Sequence, residues 1–270
     1  MQISVIIPVY KPGEYIFRCL QAVAKQTMAK DLYEVIIVLN GCCEPYYQLL
    51  DEYLNKNLID VNTKLLQTDI QGVSNARNMG IDKSIGEYIT FIDDDDWISE
   101  NYLTELLAKA DTDCIVEANV LQIEQTTNKP IDHFLTSAYE KAIGRKRLTF
   151  YNSRSFLSSA CCKLIPHTVI RNDRFNTNYP LGEDSLFMFQ ISKRIRNIRI
   201  ASPQTVYYVL HRPCSASRKI YSYPFRVSLA FKLVKSYICV YAKDIRHYDF
   251  VFFLTRIAAT LRKLFRKTYQ

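Results

Sequence analysis

A short apolar run that ends in four consecutive aspartates constrains the fold of this chain more than any other feature. The run covers residues 88–92 and is rich in aromatic and β-branched side chains, which favours a strand buried inside a parallel sheet. The aspartates at 93–96 resist joint ionisation when they are this close, so a cation is expected among them. Hard divalent ions such as Mg²⁺ and Mn²⁺ prefer oxygen ligands of this kind. Ligands of open α/β sheets bind beyond the carboxyl ends of the strands, where these carboxylates would lie.

The rest of the first half alternates between strand-like and helix-like patterns. Apolar runs predict strands at residues 3–10, 34–39 and 61–67. Amphipathic spacing predicts helices at residues 14–28, 44–57, 73–84 and 99–110. This alternation with short links predicts a mostly parallel sheet. Residues 118–150 show no clear period and predict loops, short antiparallel pieces or an insertion, whereas strand character returns at 205–210 and helical character from about 222.

The charge of the chain is concentrated at its end. Residues 218–270 carry twelve Lys and Arg against two Asp, so this chain of net charge +8 is slightly acidic before residue 218. A nucleic-acid-binding domain with a basic face throughout is therefore not expected, and nucleic acid is not a predicted partner. A length of 270 residues with 48% hydrophobic side chains fits one large α/β domain with a small appendage.

Cysteine spacing and the N-terminal residues indicate the cellular compartment in which the protein is expected. The eight cysteines form no CxxC pair, and two pairs of them are adjacent doublets, which suit neither a zinc site nor an intramolecular bridge. Free thiols in a reducing compartment are expected. The chain enters a strand at once, without a signal-like apolar core, and has no apolar window of about 18 residues that would span a bilayer. A cytoplasmic protein, peripheral on the inner face of the cell membrane, is predicted.

Three segments, in this order and at this spacing, resemble the inverting family 2 glycosyltransferases of GT-A fold. They are Val5-Ile6-Ile7-Pro8-Val9-Tyr10; Gly72-Val73-Ser74-Asn75-Ala76-Arg77-Asn78-Met79-Gly80 with Asp93-Asp94-Asp95-Asp96-Trp97; and Gly182-Glu183-Asp184. The resemblance covers about the first 215 residues. It implies an α/β GT-A domain over 1–217, Rossmann-like, with a mostly parallel sheet and flanking helices. A basic amphipathic helical extension would follow over 218–270.

The aspartates match the DxD motif of that family. The resemblance implies that Asp93 and Asp95 bind Mn²⁺ or Mg²⁺, and that Asp93 and Asp94 contact a nucleotide-sugar donor. Carboxylates alone would repel a diphosphate, and a bridging dication reverses the local field. The alternative is a solvated acidic turn that caps the helix near residue 99, and Asp96 can fill that capping role beside a catalytic Asp93 and Asp95.

Asp184 lies where the family carries its general base. The resemblance implies that this carboxylate takes the proton of the acceptor hydroxyl, on the face opposite the leaving group. The alternative is a helix cap, because an apolar helical run follows, and both roles can hold at once.

Four further residues are implied as the walls of the donor pocket: Pro8, Tyr10, Asn40 and Arg77. The ring of Tyr10 can pack on the base, although it can equally be an ordinary tyrosine. Asn40 departs from the family, which more often has Asp here, and an amide presents a donor as well as an acceptor. A UDP-sugar is the expected donor. Arg77 is expected to face the phosphates or base of the donor.

His211 follows the strand predicted at 205–210, at a position where relatives often carry a histidine near the metal. Imidazole suits Mn²⁺ better than Mg²⁺. His211 is therefore a candidate metal ligand, and the alternative is an ordinary core or surface histidine.

The last helix predicted from the sequence is amphipathic and basic. An apolar stripe runs through Phe250, Phe253, Leu254, Ile257, Leu261, Leu264 and Phe265. Basic residues such as Arg256 and Arg262 take other faces, which is typical of a helix on an anionic membrane surface. The alternative is a helix packed on the domain with a solvated charged face. The resemblance and this helix together suggest a polyprenyl-diphosphate-linked glycan acceptor and a role in cell-surface polysaccharide assembly.

Two rival functions stay open. A polyprenyl-phosphate sugar transferase would need no base, because its acceptor phosphate is already ionised. A non-catalytic module that binds nucleotide or metal on the same fold would bind the donor without turnover, and the unusual Asn40 is compatible with it.

Overall fold

The described strands fall into two sheets. A computed structural model describes residues 1–145, 147–212 and 221–265. The strands are β1 (Ile3–Val9), β2 (Tyr33–Asn40), β3 (Asn62–Thr68), β4 (Tyr88–Phe91), β5 (Trp97–Ile98), β6 (Cys114–Glu117), β7 (Asn119–Glu124), β8 (Pro130–Ile131), β9 (Lys163–Pro166), β10 (Asn197–Ile200) and β11 (Val206–His211). The helices are α1 (Tyr15–Ala24), α2 (Tyr46–Asn57), α3 (Val73–Lys83), α4 (Tyr102–Leu107), α5 (Phe134–Ala142), α6 (Phe150–Ser153), α7 (His167–Ile170), α8 (Glu183–Ser192), α9 (Tyr223–Lys243) and α10 (Phe250–Arg262).

The larger sheet carries the predicted parallel core. Seven of the described strands form it, in the order β10-β6-β9-β4-β1-β2-β3. Strand β1 pairs in parallel with β2 and with β4, and β2 pairs in parallel with β3. Every residue of β1 and β2 is buried, as expected for strands covered by other elements on both faces. The carboxyl ends of β1, β2 and β4 therefore meet at one edge, directly before the aspartates.

The smaller sheet closes over that edge. Its order is β5-β11-β7-β8, with β11 parallel to β7 and antiparallel to β5. Strand β5 begins at Trp97, so the aspartate turn is the link between the two sheets. The indole of Trp97 stacks on Tyr208 at 5.1 Å between ring centroids, and the Arg18 guanidinium lies 3.5 Å from the indole centroid. This stack fixes the end of the turn that follows the aspartates.

The C-terminal helices pack against α8 through aromatic side chains. The ring of Phe189 contacts Tyr237 of α9 at 5.3 Å, Tyr248 at 5.0 Å and Phe252 of α10 at 5.7 Å between centroids. The domain boundary predicted at 217/218 lies in residues 213–220, outside the described residues. No helix in the described part of the chain is both long and apolar enough to cross a membrane.

Two regions differ from the sequence expectations. Residues 99–110 were expected to be helical throughout, but α4 covers only Tyr102–Leu107 because the chain first completes β5. The stretch 118–150 contains the expected short antiparallel pair, β7 with β8, and also helix α5, which the sequence did not predict. Helix α5 buries Leu135, Tyr139 and Ala142 on one face, a three-residue pattern that is too short to stand out in a polar segment.

Candidate functional site

A cleft of about 1060 Å³ opens at the carboxyl edge of the parallel strands, between the two sheets. All of the predicted site residues except His211 line it: Pro8, Tyr10, Asn40, Arg77, Asp93, Asp94, Asp95 and Asp184. The fold therefore brings together segments that are up to 176 positions apart in the sequence.

The donor side of the cleft is built from the ends of β1 and β2. Tyr10 follows β1 and is 39% exposed, with the Lys11 ammonium 5.4 Å from its ring centroid. Asn40 is buried, and its amide nitrogen donates to the carbonyl of Val9 at 2.7 Å while its amide oxygen accepts from the Gly72 amide at 2.9 Å. Asn40 thus clamps the end of β1 to the start of α3, a task that needs one donor and one acceptor.

The four aspartates play different structural parts. The carboxylate of Asp96 is buried and accepts a hydrogen bond from the Leu210 amide at 2.9 Å, which ties the turn to β11. The residue at the cap of α4 is Asn101, so the expectation that Asp96 caps the next helix is wrong. The Asp93 amide donates to the Tyr207 hydroxyl at 3.1 Å. These contacts leave the carboxylates of Asp93, Asp94 and Asp95 on the cleft wall.

The negative charge of this cluster is only partly balanced. Asp93 accepts from Arg77 at 2.8 Å, and Asp95 accepts from the Arg212 Nε at 2.9 Å. Burial, and after it the charges of Asp95 and Asp93, raises the pKa of Asp94 to about 8. Burial together with Asp93 also raises the pKa of Asp95. A carboxyl group with so high a pKa is held in a place that favours an additional cation.

A divalent metal ion fits this donor set. In the part of the chain that the structure describes, no group of three or more His, Cys, Asp or Glu side chains is arranged to hold a metal ion by itself. Asp93, Asp94 and Asp95 nevertheless place hard carboxyl oxygens side by side on the cleft wall, and Mg²⁺ and Mn²⁺ prefer oxygen ligands of this kind. Both ions commonly complete their coordination with water and substrate phosphate, so a full protein cage is not needed.

Arg77 lines the cleft, and its guanidinium is engaged by two carboxylates. Its side chain is 3% exposed, and its guanidinium bridges Asp93 and Asp184 at 2.8 and 2.6 Å. Burial by itself would lower the pKa of Arg77. The charges of Asp184 and Asp93 outweigh burial and raise the pKa well above its usual value, so the residue stays charged. A single cation therefore links the aspartate turn to the start of α8.

Asp184 is held from two sides. One carboxylate oxygen accepts from Arg77, and the other accepts from the Ala160 amide at 3.1 Å. Gly182 occupies the cap position of α8 with φ +85°, so Asp184 lies in the first turn and does not cap its helix. Beside it, burial and then the charge of Asp184 raise the pKa of Glu183. The paired carboxylates thus have different environments, and among the described residues a cationic partner at ion-pair distance is found for Asp184 but not for Glu183.

His211 lies apart from the other predicted residues. It ends β11 in register with Glu124 and is not among the residues that line the cleft. The next residue, Arg212, reaches Asp95 instead and also lies 4.2 Å from the ring centroid of Tyr15. A metal-binding role for His211 stays a prediction that this geometry does not support.

The far wall of the cleft was missed by the sequence reasoning. We call it the uncharged wall, and it consists of Gln122, His133, Phe134, Leu135 and residues 177–181. The Tyr179 hydroxyl contacts the Ser236 hydroxyl at 2.7 Å and donates to the Lys232 carbonyl at 3.1 Å, so α9 braces part of this wall. Gln122, His133, Phe134 and Leu135 come from the segment 118–150, which shows no clear period, and residues 177–181 directly precede the Gly182-Glu183-Asp184 motif. Neither stretch carries a sequence signal of its own.

The chain is similar in sequence to curated bacterial proteins. EpsH of Bacillus subtilis strain 168 is 27% identical over 229 residues, which cover 77% of this chain and 61% of EpsH. The poly(ribitol-phosphate) beta-N-acetylglucosaminyltransferase TarS of Staphylococcus aureus strain MW2 is 27% identical over 78% of this chain and 36% of its own length. The chain thus spans less than two thirds of these curated relatives.

Solved structures share the fold. TarS residues 1–349, in a crystal structure with UDP-GlcNAc, align with a TM-score of 0.71 at 20% identity and cover 88% of this chain and 67% of that one. The mannosyltransferase PcManGT of Pyrobaculum calidifontis, in complex with GDP-Man and Mn²⁺, aligns with a TM-score of 0.64 at 17% identity over 97% and 69% of the two chains. The sequence profile described as "Glycosyl transferase family 2" matches residues 4–172, more than half of the chain. The chain belongs to glycosyl transferase family 2.

Proposed function

We propose that this protein transfers a sugar from a nucleotide-diphosphate donor to a hydroxyl group of a glycan acceptor, with metal assistance and inversion at the anomeric carbon. The observation that carries the proposal is the partly balanced aspartate cluster at the carboxyl edge of the parallel strands, with Asp184 held in the same cleft. The edge is the usual ligand position of such sheets. The cluster matches the charge that a diphosphate and a dication bring together.

The donor would lie along the ends of β1 and β2, beside Pro8, Tyr10 and Asn40. UDP-GlcNAc is bound by TarS and GDP-Man with Mn²⁺ by PcManGT, which supports a nucleotide-sugar donor for a protein of the same fold. A UDP-sugar is our expected donor. Asn40 would act by shaping the pocket, because its amide groups already serve Val9 and Gly72.

Asp93 and Asp95 would hold the metal ion, with Asp94 close to the diphosphate. A bound Mn²⁺ or Mg²⁺ would supply charge stabilisation for the nucleoside diphosphate as it leaves. Arg212 lies beside Asp95, and its positive charge would stabilise the same diphosphate leaving group. These residues account for the donor half of the reaction.

Asp184 would act as the base. The acceptor oxygen forms a bond to the anomeric carbon, the bond from that carbon to the diphosphate oxygen breaks with its electron pair, and the hydroxyl proton passes to the Asp184 carboxylate. Arg77 and the Ala160 amide hold that carboxylate in place before the acceptor arrives. Preorganisation of this kind removes the cost of orienting the base during the reaction.

A second candidate function is supported by the same contact. Both carboxylate oxygens of Asp184 already accept hydrogen bonds, from Arg77 and from the Ala160 amide, which suits an acceptor that needs no deprotonation, such as a polyprenyl phosphate. Asp184→Asn separates the two functions. Hydroxyl transfer requires a loss of turnover of about 100-fold or more in this variant, whereas near-normal turnover would favour a phosphate acceptor.

Attachment to the inner face of the cell membrane is part of the proposal. Helix α10 packs on the body of the protein through Phe252 and through Arg256, which was expected on an outer face but is buried, with its guanidinium donating to the Arg154 carbonyl at 2.8 Å. Three residues of the predicted stripe are exposed: Phe250, Leu254 and Leu261. An exposed apolar stripe next to basic side chains suits an anionic lipid surface. Such a position would bring the cleft near a polyprenyl-diphosphate-linked glycan, our expected acceptor.

A panel of nucleotide-sugars tests the donor half directly. Thermal unfolding would be followed with UDP- and GDP-sugars, each with and without Mn²⁺. Ligands that bind the folded state raise the unfolding temperature. We expect one UDP-sugar to do so only when Mn²⁺ is present. No shift with any nucleotide-sugar, with or without Mn²⁺, would contradict the proposal.

A further inference from the structure

We propose that the uncharged wall is the acceptor subsite and that it selects an uncharged sugar ring, with Phe134 as the platform on which that ring stacks. The inference rests on the proposed function and names the class of its acceptor. It predicts neutral pyranosides as acceptors and excludes polyol phosphates such as the ribitol phosphate polymer in the name of TarS.

Phe134 is presented to the cleft by a helix that is fixed on its other face. The side chain lines the cleft and is 53% exposed, although it is large and apolar. Leu135 and Tyr139 are buried, the Tyr139 hydroxyl donates to the Ala201 carbonyl at 2.8 Å, and Thr136 donates to the Val120 carbonyl at 2.5 Å. Helix α5 is thus anchored to the rest of the protein and presents an exposed aromatic ring to the cleft. The C–H groups on one face of a pyranose pack well on the electron-rich face of such a ring.

His133 stands next to this platform with an unmet hydrogen-bonding atom. Its ring lies 4.6 Å from the Phe134 ring between centroids, and its Nδ1 is shielded from solvent without a hydrogen-bond partner among the described residues. Burial lowers the pKa of His133 to about 4, so the imidazole is neutral near pH 7. A neutral imidazole offers one donor and one acceptor, which matches a sugar hydroxyl.

The charge of the wall argues against an anionic acceptor. Its described residues that line the cleft include no Lys, Arg, Asp or Glu; the polar and aromatic members include Gln122, Phe134, Thr177, Asn178 and Tyr179. Proteins recognise phosphate groups with Arg and Lys side chains. The described cations that line the cleft are Lys11, next to Tyr10, and Arg77 and Arg212, which are ion-paired with aspartates. All three lie with residues that we assign to the donor or to the aspartate cluster. A phosphodiester chain would find no counter-charge on this wall.

The experiment measures binding and transfer with the same acceptor panel. The panel contains the methyl pyranosides of glucose, galactose and N-acetylglucosamine, and ribitol 5-phosphate and glycerol 3-phosphate as anionic polyols. Binding to the full chain is followed by saturation-transfer NMR. Transfer is followed as nucleoside diphosphate release from UDP-GlcNAc with Mn²⁺, above the hydrolysis seen without acceptor. The variants are Phe134→Ala, Phe134→Trp and the matched control Tyr151→Ala, which removes an aromatic side chain that is 54% exposed and does not line the cleft.

We expect contacts to at least one methyl pyranoside, which Phe134→Ala weakens about tenfold and which Phe134→Trp and Tyr151→Ala keep. Donor hydrolysis without acceptor should change less than about threefold in Tyr151→Ala, because Tyr151 does not line the cleft. Binding of the anionic polyols alone, or pyranoside binding that Phe134→Ala leaves unchanged, would overturn the inference. Absence of donor hydrolysis in the unmodified protein would instead count against the proposed function, and the NMR contacts would still decide the acceptor question.

Discussion

At the scale of single residues, Arg77 determines how the charges of the cleft are arranged. It is buried, it bridges Asp93 and Asp184, and its guanidinium also contacts the Cys161 sulfur at 3.6 Å. One planar side chain with several donors can hold both carboxylates, which a lysine could not do. Arg77 therefore sets the distance between the proposed metal site and the proposed base.

Replacement of Arg77 by Met should lower the free energy of unfolding by about 3 kcal/mol, because it leaves two carboxylates without their buried partner. It should also lower kcat by about 100-fold with little change in the KM of the donor, since the base loses its position. Urea unfolding and steady-state kinetics measure these effects. The control Arg174→Met breaks the more exposed ion pair to Asp82 and should cost about 1 kcal/mol or less. A raised donor KM with normal kcat would contradict a positioning role.

The imidazole of His133 predicts how the stability of the protein depends on pH. Burial lowers the pKa of its imidazole to about 4 from the usual value of about 6.5. Between these values the unfolded chain binds a proton that the folded protein does not, so stability falls as the pH drops from about 6.5 to 4, by up to about 3 kcal/mol. His133→Gln should remove this part of the pH dependence in urea unfolding curves, whereas His247→Gln, which replaces an exposed histidine, should keep it. Identical slopes for His133→Gln and the unmodified protein would contradict the assignment.

Sequence reasoning located several site residues but not their partners. Asp93, Asp95 and Asp184 stand in local motifs, and the structure brings them into one cleft. The contact between Arg77 and Asp184 joins positions 107 residues apart, so no local pattern could show it. The departure at Asn40 has a physical reason in the structure: an aspartate could not donate to the Val9 carbonyl as the amide does.

At the scale of elements, the start of α8 is positioned by its neighbours. The Ser185 hydroxyl contacts the Tyr237 hydroxyl of α9, and Gly182 lies against Leu233 of the same helix. Gly182 has φ +85°, and an added Cβ would lie 2.8 Å from the Leu233 Cδ1. The backbone conformation and the close packing both require glycine there. Helix α9 thus contributes to the placement of Asp184 although it lies in the C-terminal extension.

Gly182→Ala should destabilise the protein by about 1–2 kcal/mol from backbone strain alone, with a further cost from the contact to Leu233. Gly144→Ala is a matched control, because Gly144 has a similar φ of +82° but nothing within 4 Å of an added Cβ. The free energy of unfolding of each variant would be measured in urea. The difference between the two losses of stability gives the cost of the contact between the added Cβ and Leu233. Turnover should fall only in Gly182→Ala. Equal losses of stability and activity in the two variants would contradict the role of the α9 contact.

Helix α5 shows where element prediction from sequence failed. It has nine residues in a polar stretch, and its orientation depends on hydrogen bonds from Thr136 and Tyr139 to distant backbone carbonyls. Helix α3, in contrast, was predicted at 73–84 and is found at Val73–Lys83. Its position follows from a glycine, an apolar period and the strands on either side, all of which are local signals.

At the scale of the whole molecule, the two C-terminal helices expose large apolar side chains. Phe250, Leu254 and Leu261 project from α10, and Phe231 and Ile238 are exposed on α9. The described charged residues of both helices are basic, as Lys235 and Arg262 illustrate. This side is the proposed contact with anionic lipid.

Co-sedimentation with vesicles tests that contact. We expect binding to vesicles containing phosphatidylglycerol, weaker binding to pure phosphatidylcholine, and a loss of about tenfold in Phe250→Asp/Leu254→Asp. The control Ile59→Asp changes an isoleucine that is 74% exposed in the loop after α2, and it should bind normally. Unchanged binding by the double variant, with its stability intact, would contradict membrane contact through this face.

The overall architecture was predictable only in part. Alternating strands and helices indicated the parallel core of β1 to β4, in which β1, β2 and β3 pair with their neighbours in sequence and β4 joins the sheet at β1. Strand β9 enters the same sheet antiparallel, between β4 and β6, and the smaller sheet pairs Trp97 of β5 with Tyr208 of β11, which are 111 positions apart in the sequence. Such long-range pairings leave no periodic signal, although they decide which residues form the far side of the cleft.

Metal dependence of donor turnover tests the central claim most directly. Release of nucleoside diphosphate from a bound UDP-sugar would be measured with Mn²⁺, with Mg²⁺ and with excess EDTA, in the unmodified protein and in Asp95→Asn and Asp93→Asn. Our account predicts turnover that requires the metal and falls by about 100-fold or more in both variants. Turnover that persists in EDTA and in both variants would contradict it.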